Sequence, residues 1–209
     1  MTTLTTKVPD ASLPLRGDSS GVVGFMTIDE YTAFEQTAEQ RHDYQEGWVT
    51  ILPGGSLEHN RIVLDTARAF SDGLENTGII GEVFGDGQQV RINNRRFVYP
   101  DMVLVVGETQ ADQNDRLANP FLIVEVLSSS TESEDRGEKF DEYKTIPSLC
   151  HYLLIEQSHI GVTHFAKAEG GEWQVVGAYR DLADTLTVAI GEATLLVELA
   201  RIYRRVFGS

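Results

Sequence analysis

The chain has 209 residues, 41% of them hydrophobic and 23% charged, a balance that fits one globular domain with a sizeable core. A single cysteine, Cys150, excludes an intramolecular disulfide and a cysteine-rich zinc site, and no apolar run approaches the ~20 residues of a membrane helix, so a cytoplasmic location is expected. The formal net charge of -15 argues against tight, non-specific binding to a polyanion, although arginines gather at Arg91, Arg95 and Arg96 and again at Arg201, Arg204 and Arg205.

Residues 1–24 are rich in Thr, Ser, Gly, Asp and Pro and lack an apolar core, so they read as a flexible tail rather than a signal peptide; one domain is expected over 25–209. Thr27 begins a helical stretch as a cap, with Glu30 three residues on. HDYQEGWVTIL reads as a hairpin turning near Glu46-Gly47, and Pro53-Gly54-Gly55 breaks it. Ser56 then caps a long helix with Val63, Ala67, Phe70 and Leu74 as its apolar stripe. Residues 81–106 read as strands, with QQVRI and RFVYPDMVLVV flanking Asn93-Asn94, a pair that tolerates the left-handed conformation of a tight turn. A polar loop leads to the strand FLIVEVL. A polar helix, ESEDRGEKFDEYKTI, follows, ends before Pro147, and precedes the strand HYLLIEQ. GVTHFAKA and EWQVVGAYR pair around Gly170-Gly171. LTVAI is a further strand, and ATLLVELARIYRRVF reads as a closing amphipathic helix. The strand-helix-strand order over 121–156 is a βαβ unit, and with the earlier hairpin it predicts a mixed sheet flanked by helices.

Two acids stand out because of where they lie. Glu125 shares a strand face with Ile123 and Leu127 in a segment apolar on both sides, and an ionised carboxylate there carries a desolvation penalty of several kcal/mol. It needs a cation or a proton. Asp101 sits at the start of a similar apolar strand. If the two strands are antiparallel neighbours, the carboxylates meet, and hard oxygen ligands of this kind suit Mg²⁺ or Mn²⁺. The competing expectation is that Arg95 and Arg96 pair with them. Asp135, Lys139 and Tyr143 are spaced by four on one helical face. Lys139 is either a cation reaching the carboxylates or a solvated partner of Asp135 worth ~0.3 kcal/mol. His59, after Glu58 in the first turn of its helix, and Asp43 in HDYQEG are weaker candidates. Gly85-Asp86-Gly87 lacks the spacing of a phosphate loop, and Ser128 to Thr131 reads as capping.

Tyr99-Pro100-Asp101, Glu125-Val126-Leu127-Ser128, and Asp135-Arg136-Gly137-Glu138-Lys139-Phe140 with Tyr143 together resemble the Uma-two family of the PD-(D/E)XK nuclease superfamily. The likeness runs from about Phe25 to Val206 and takes in HDYQEG, HNRI, PSLCHYLLIEQ and Trp173. It implies a restriction-endonuclease-like α/β fold with an αβββαβ core and an N-terminal helix and hairpin addition. It also implies Asp101 and Glu125 as metal ligands and Lys139 as the catalytic lysine, with His59 and Asp43 at recurrent positions. In the superfamily at large the lysine follows the glutamate by two residues on the same strand, where this chain has Leu127. The expected activity is Mg²⁺- or Mn²⁺-dependent hydrolysis of DNA phosphodiesters, with a homodimer plausible for duplex cutting. The rival expectations are a non-catalytic nucleic-acid-binding or assembly module that keeps the fold, and hydrolysis of a small phosphate or nucleotide.

Overall fold

The computed structural model describes residues 21–129 and 131–208. The first element is a strand, β1 (Val22–Phe25), so the described chain is already paired within the stretch expected to be tail; residues 1–20 of that expectation lie outside the described residues. Helix α1 (Ile28–Glu35) starts where the cap predicts. Glu30 N–H donates to Thr27 Oγ1 at 3.3 Å while the Glu30 carboxylate accepts from Thr27 N–H at 2.8 Å, a complete capping box. The hairpin β2 (His42–Gln45) and β3 (Trp48–Ile51) turns at Glu46 and Gly47, both at positive φ. A side chain at Gly47 would enter the Phe25 ring, since a Cβ there would lie 2.3 Å from it.

Ser56 caps the 21-residue helix α2 (Leu57–Thr77), accepting from His59 N–H at 3.1 Å, and Gly78 ends the helix in the left-handed conformation. Strand β4 (Gly81–Gly85) follows, then β5 (Val90–Asn93) and β6 (Arg96–Val98), joined through Asn94-Arg95, one residue later than the expected Asn93-Asn94 turn. Neither asparagine takes a positive φ. Asn93 Oδ1 instead accepts Arg95 N–H at 2.8 Å, and an irregular register absorbs the turn. RFVYPDMVLVV is not one strand. Pro100 has no N–H to give a ladder, and the chain leaves β6 in one sheet and enters β7 (Met102–Val106) in another.

Strand β8 (Leu122–Leu127) leads into α3 (Glu132–Arg136) and α4 (Glu138–Tyr143), two short helices that meet at Gly137 where one was expected. Strands β9 (His151–Glu156), β10 (Val162–Lys167) and β11 (Trp173–Tyr179) come next. The closing segment divides as well. β12 (Thr185–Ile190) pairs with β13 (Ala193–Glu198), and helix α5 (Leu199–Phe207) begins only after it. The first half of the expected helix alternates buried and exposed positions, with Leu195 and Val197 inward, and that two-residue period belongs to a strand.

The main sheet has the order β11-β10-β9-β8-β7-β4, mixed, with β8 parallel to β9 and antiparallel to β7. A five-stranded sheet, β1-β3-β2-β6-β5, carries α1. Alternation along β7 and β8 sends Met102, Leu104, Leu122, Val124 and Val126 to one core with α2, the β12-β13 hairpin and α5. Val103, Val105, Ile123 and Leu127 face the other, against Phe140 and Tyr143 of α4 and Val90 and Val98 of the second sheet. A third cluster, Tyr31, Tyr44, Val49 and Phe97, fastens α1 to the smaller sheet. Among the described residues, no helix is long and apolar enough to cross a membrane.

Candidate active site

Both faces of β8 are covered, so its one polar side chain has nowhere to escape. Glu125 is 3% exposed and faces α4. The antiparallel register, Met102 opposite Val124, sets Asp101 beside Glu125 one step further along. Asp101 is anchored there, because its Oδ2 accepts the Val126 N–H at 2.7 Å. It also lies 3.1 Å from His59 Nε2, delivered by the first turn of α2. Gly55 makes that approach possible, for a Cβ in its place would lie 2.5 Å from the His59 ring.

Helix α4 supplies the cation. Lys139 Nζ lies 2.7 Å from Glu125 Oε1 and 3.4 Å from Asp135 Oδ1, and the residue is 8% exposed. Tyr143 Oη donates to the same Glu125 oxygen at 2.7 Å. The solvated-lysine expectation therefore gives way to a buried ammonium between two buried carboxyl groups. The arginine expectation gives way too. Arg96 binds Asp43 at 3.1 Å and Glu142 at 2.7 Å, and Arg95 pairs with Glu46, so neither reaches Asp101 or Glu125.

Burial pushes the Glu125 carboxyl up to about 8 against the pull of Lys139. Burial also works against the Lys139 ammonium, but Glu125, Asp135 and Asp43 outweigh it and hold the pKa well above its ordinary value. Glu125 is thus the member of the pair that gives up its charge when no further cation is present, since Lys139 keeps two other acids facing it. Burial lowers His59, and the hydrogen bond and charge of Asp101 more than reverse that.

These groups line one cleft of about 500 Å³. Asp101, Glu125, Lys139 and His59 border it with Pro53 to Ser56, Arg41, Tyr99 and Ser128. Asp43 does not. It is 7% exposed and spends its oxygens on Arg96 and on Tyr99 N–H at 3.2 Å, so it supports the wall that carries Tyr99. Asp135 and Tyr143 complete the cluster, and their i-4 and i+4 positions around Lys139 are visible in the sequence. The Val126 amide leaves no trace in the side-chain pattern.

Among the described residues, no three His, Cys, Asp or Glu side chains converge as a full ligand set. A caged zinc or calcium ion does not fit that donor set. Mg²⁺ does, because it keeps several waters and is commonly bound by one or two carboxylates.

The chain matches the Uma2 family, described as "Putative restriction endonuclease", over residues 28–198. Two uncharacterized proteins of Synechocystis sp. are similar to it. One, sll1609, is 32% identical over 151 residues, covering 71% of this chain and 84% of the relative. The other, slr1290, is 28% identical over 152 residues, covering 72% and 79%. In three dimensions the chain resembles a crystal structure from Anabaena variabilis described as "a putative nuclease belonging to DUF820", with a TM-score of 0.64 and 14% identity, covering 85% of this chain and 97% of that one. The nuclease-type fold is therefore shared with a solved structure, and the chain belongs to the Uma2 family.

Proposed function

We propose that this protein is a metal-dependent endonuclease that hydrolyses phosphodiester bonds of DNA, with the cleft around Asp101 and Glu125 as its active site. The observation that carries the reading is the convergence of two carboxylates and a buried lysine on adjacent strands and the following helix, within one cleft. Asp101 and Glu125 would hold Mg²⁺ or Mn²⁺, which supplies polarisation of the scissile phosphate and a bound water of lowered pKa. Lys139 brings a fixed positive charge to the same edge, suited to an attacking hydroxide or to charge developing on phosphorus oxygens. Tyr143 fixes the Glu125 carboxyl through one oxygen. His59 holds Asp101 from the opposite wall and is placed to carry a proton there. Leu127 is 2% exposed and packs in the core, so the strand position of the superfamily's lysine has no access to the cleft, and α4 supplies the ammonium instead. Cutting both strands of a duplex benefits from two such clefts, and a homodimer would supply them.

Calorimetric titration with Mn²⁺ tests it. Wild-type protein is expected to bind the ion at millimolar concentration or below, and Asp101→Ala to lose that binding while staying folded. A wild-type protein that takes up neither Mn²⁺ nor Mg²⁺ would remove the mechanism.

A second reading, a non-catalytic module that keeps the fold, draws on the net charge of -15 and on a cleft bordered by Glu39, Asp86, Asp101 and Glu125. An Asp101→Asn/Glu125→Gln variant separates the two. The module keeps its partner binding in that variant, and the nuclease loses its turnover.

A further inference from the structure

Acids outnumber cations on the wall of the cleft. Glu39, Asp86, Asp101 and Glu125 border it, and among the described residues the cations there are Arg41, Lys139 and, when protonated, His59. Two of these are already engaged by the site. Lys139 is buried between Glu125 and Asp135, and His59 is held on Asp101. Arg41 differs, because 47% of its side chain is exposed. Arg61, Arg91, Lys167, Arg180 and Arg204 also lack ion pairs among the described residues, but none of them borders the cleft.

The guanidinium of Arg41 is placed without being used up. Arg41 Nη1 donates to the Asp86 backbone carbonyl at 2.7 Å. The guanidinium carbon lies 5.6 Å from the centre of the Tyr99 ring, a cation–π contact. Gly87 leaves room for Nη2, which a Cβ at that position would approach to 2.9 Å. Tyr99 is itself fixed, since its Oη donates to Glu35 at 3.0 Å and its N–H to Asp43 at 3.2 Å. It stands two residues before Asp101, so the ring that carries Arg41 leads straight to the first carboxylate. The Arg41 backbone is tied down too, with its carbonyl accepting Leu52 N–H at 2.9 Å. Yet among the described residues Nε and Nη2 find no hydrogen-bond acceptor, and the Asp86 carboxylate, itself 64% exposed, stands off at 3.7 Å. Arginines with a structural task close tight pairs here, as Arg95 does with Glu46 and Arg136 with Glu156.

We propose that Arg41 is the phosphate anchor of the cleft, its free donors receiving a backbone phosphate of the DNA strand beside the one cut at Asp101 and Glu125. The proposal deepens the nuclease reading above and rests on it. A guanidinium presents forked donors that match phosphate oxygens, and a phosphate has only the loose Asp86 contact to displace. Such a contact sets the position of the strand and carries no sequence preference. It lies away from the reacting atoms, so it is equally strong before and during the reaction and acts on KM rather than on kcat.

The test is steady-state cleavage of a labelled DNA duplex in Mn²⁺, over a series of salt concentrations, for wild type, Arg41→Gln and Arg41→Lys. Arg41→Gln is expected to keep its thermal midpoint and its calorimetric Mn²⁺ affinity. Its KM should rise about tenfold while kcat stays within about twofold. The slope of log kcat/KM against log salt should become shallower by about one unit, the share of one phosphate contact. Arg41→Lys keeps the charge without the fork, so it should restore the slope and recover KM only in part. Wild-type KM and slope in Arg41→Gln would overturn the anchor and leave the nuclease reading in place. So would a loss of kcat at unchanged KM, or a Mn²⁺ affinity that falls in step with KM, which would put Arg41 in the wall supporting the carboxylates. Wild-type protein that cleaves no duplex in Mn²⁺ would overturn the nuclease reading itself, and the anchor with it.

Discussion

Removing the Lys139 ammonium would leave the Glu125 carboxyl in an apolar layer with only Tyr143 beside it. The cost of a buried pair is asymmetric: breaking it from one side leaves an uncompensated polar group, whereas replacing both members can be close to neutral. Lys139→Met is therefore expected to lower stability more at pH 9, where Glu125 is ionised in the wild type, than at pH 6, where it holds a proton, by a difference of about 1 kcal/mol. Lys139→Met/Glu125→Gln should recover most of the loss at both values. Denaturant titrations of the three proteins measure this, and equal losses in the single and double variants would mean that the pair is not coupled. The sequence already identified Glu125 as a charge that its strand cannot stabilise. Whether arginine or lysine answered it depended on which helix packs over β8.

Within the elements, the buried imidazoles of β9 and β10 make the most specific expectation. His151 Nε2 lies 3.0 Å from the Ala189 carbonyl of β12, which can only accept, so that nitrogen carries the hydrogen. His151 Nδ1 is then an acceptor, and His164 Nε2 donates to it at 2.9 Å. This leaves His164 Nδ1 buried without a partner. Burial, reinforced by His151, lowers the His164 pKa to about 4, and burial lowers His151 too. The folded value lies below the ordinary one of 6.5, so the unfolded chain takes up the proton first. Stability is complete above about pH 6.5 and falls as pH drops from there toward 4. The expected loss is about 3 kcal/mol for His164. Denaturation midpoints across this range should show it, and His164→Gln should flatten the profile. Because His151 holds a carbonyl of β12, the β12-β13 hairpin should be the first element to exchange amide protons in acid. The same hairpin shows why the closing segment was misread: ATLLVELARIYRRVF contains both a two-residue and a 3.6-residue period, and only pairing with β12 decides where one gives way to the other.

For the molecule as a whole, the six-stranded sheet separates two cores, and the cleft opens where β7 and β8 meet the first turn of α2 and the face of α4. An ion held there by Asp101 and Glu125 would bind only the folded chain and would stabilise it by mass action. At about 100 times its Kd, Mn²⁺ should add about 2.7 kcal/mol, raising the thermal midpoint by roughly 5–10 °C for a domain of this size. The shift should be absent in Asp101→Ala. It should grow from pH 6 to pH 8, since the ion must displace the proton that burial places on Glu125. A shift that persists in Asp101→Ala would locate the ion elsewhere.

Some of this protein is determined by neighbours along the chain, and those parts were legible without coordinates. The capping box at Thr27 and Glu30, the Ser56 cap, the Glu46-Gly47 turn and the apolar strand around Glu125 each depend on interactions within a few residues. The tertiary structure decided the rest. It split RFVYPDMVLVV between two sheets at Pro100, divided the helix after β8 at Gly137, and placed Asp43 behind Tyr99 with Arg96 instead of in the cleft. It also closed Lys139 over Glu125 while leaving Arg41 half exposed on the wall of the cleft. Periodicity shows which side chains must leave water, but the partner that meets each of them comes from a distant segment. Only packing brings that segment near.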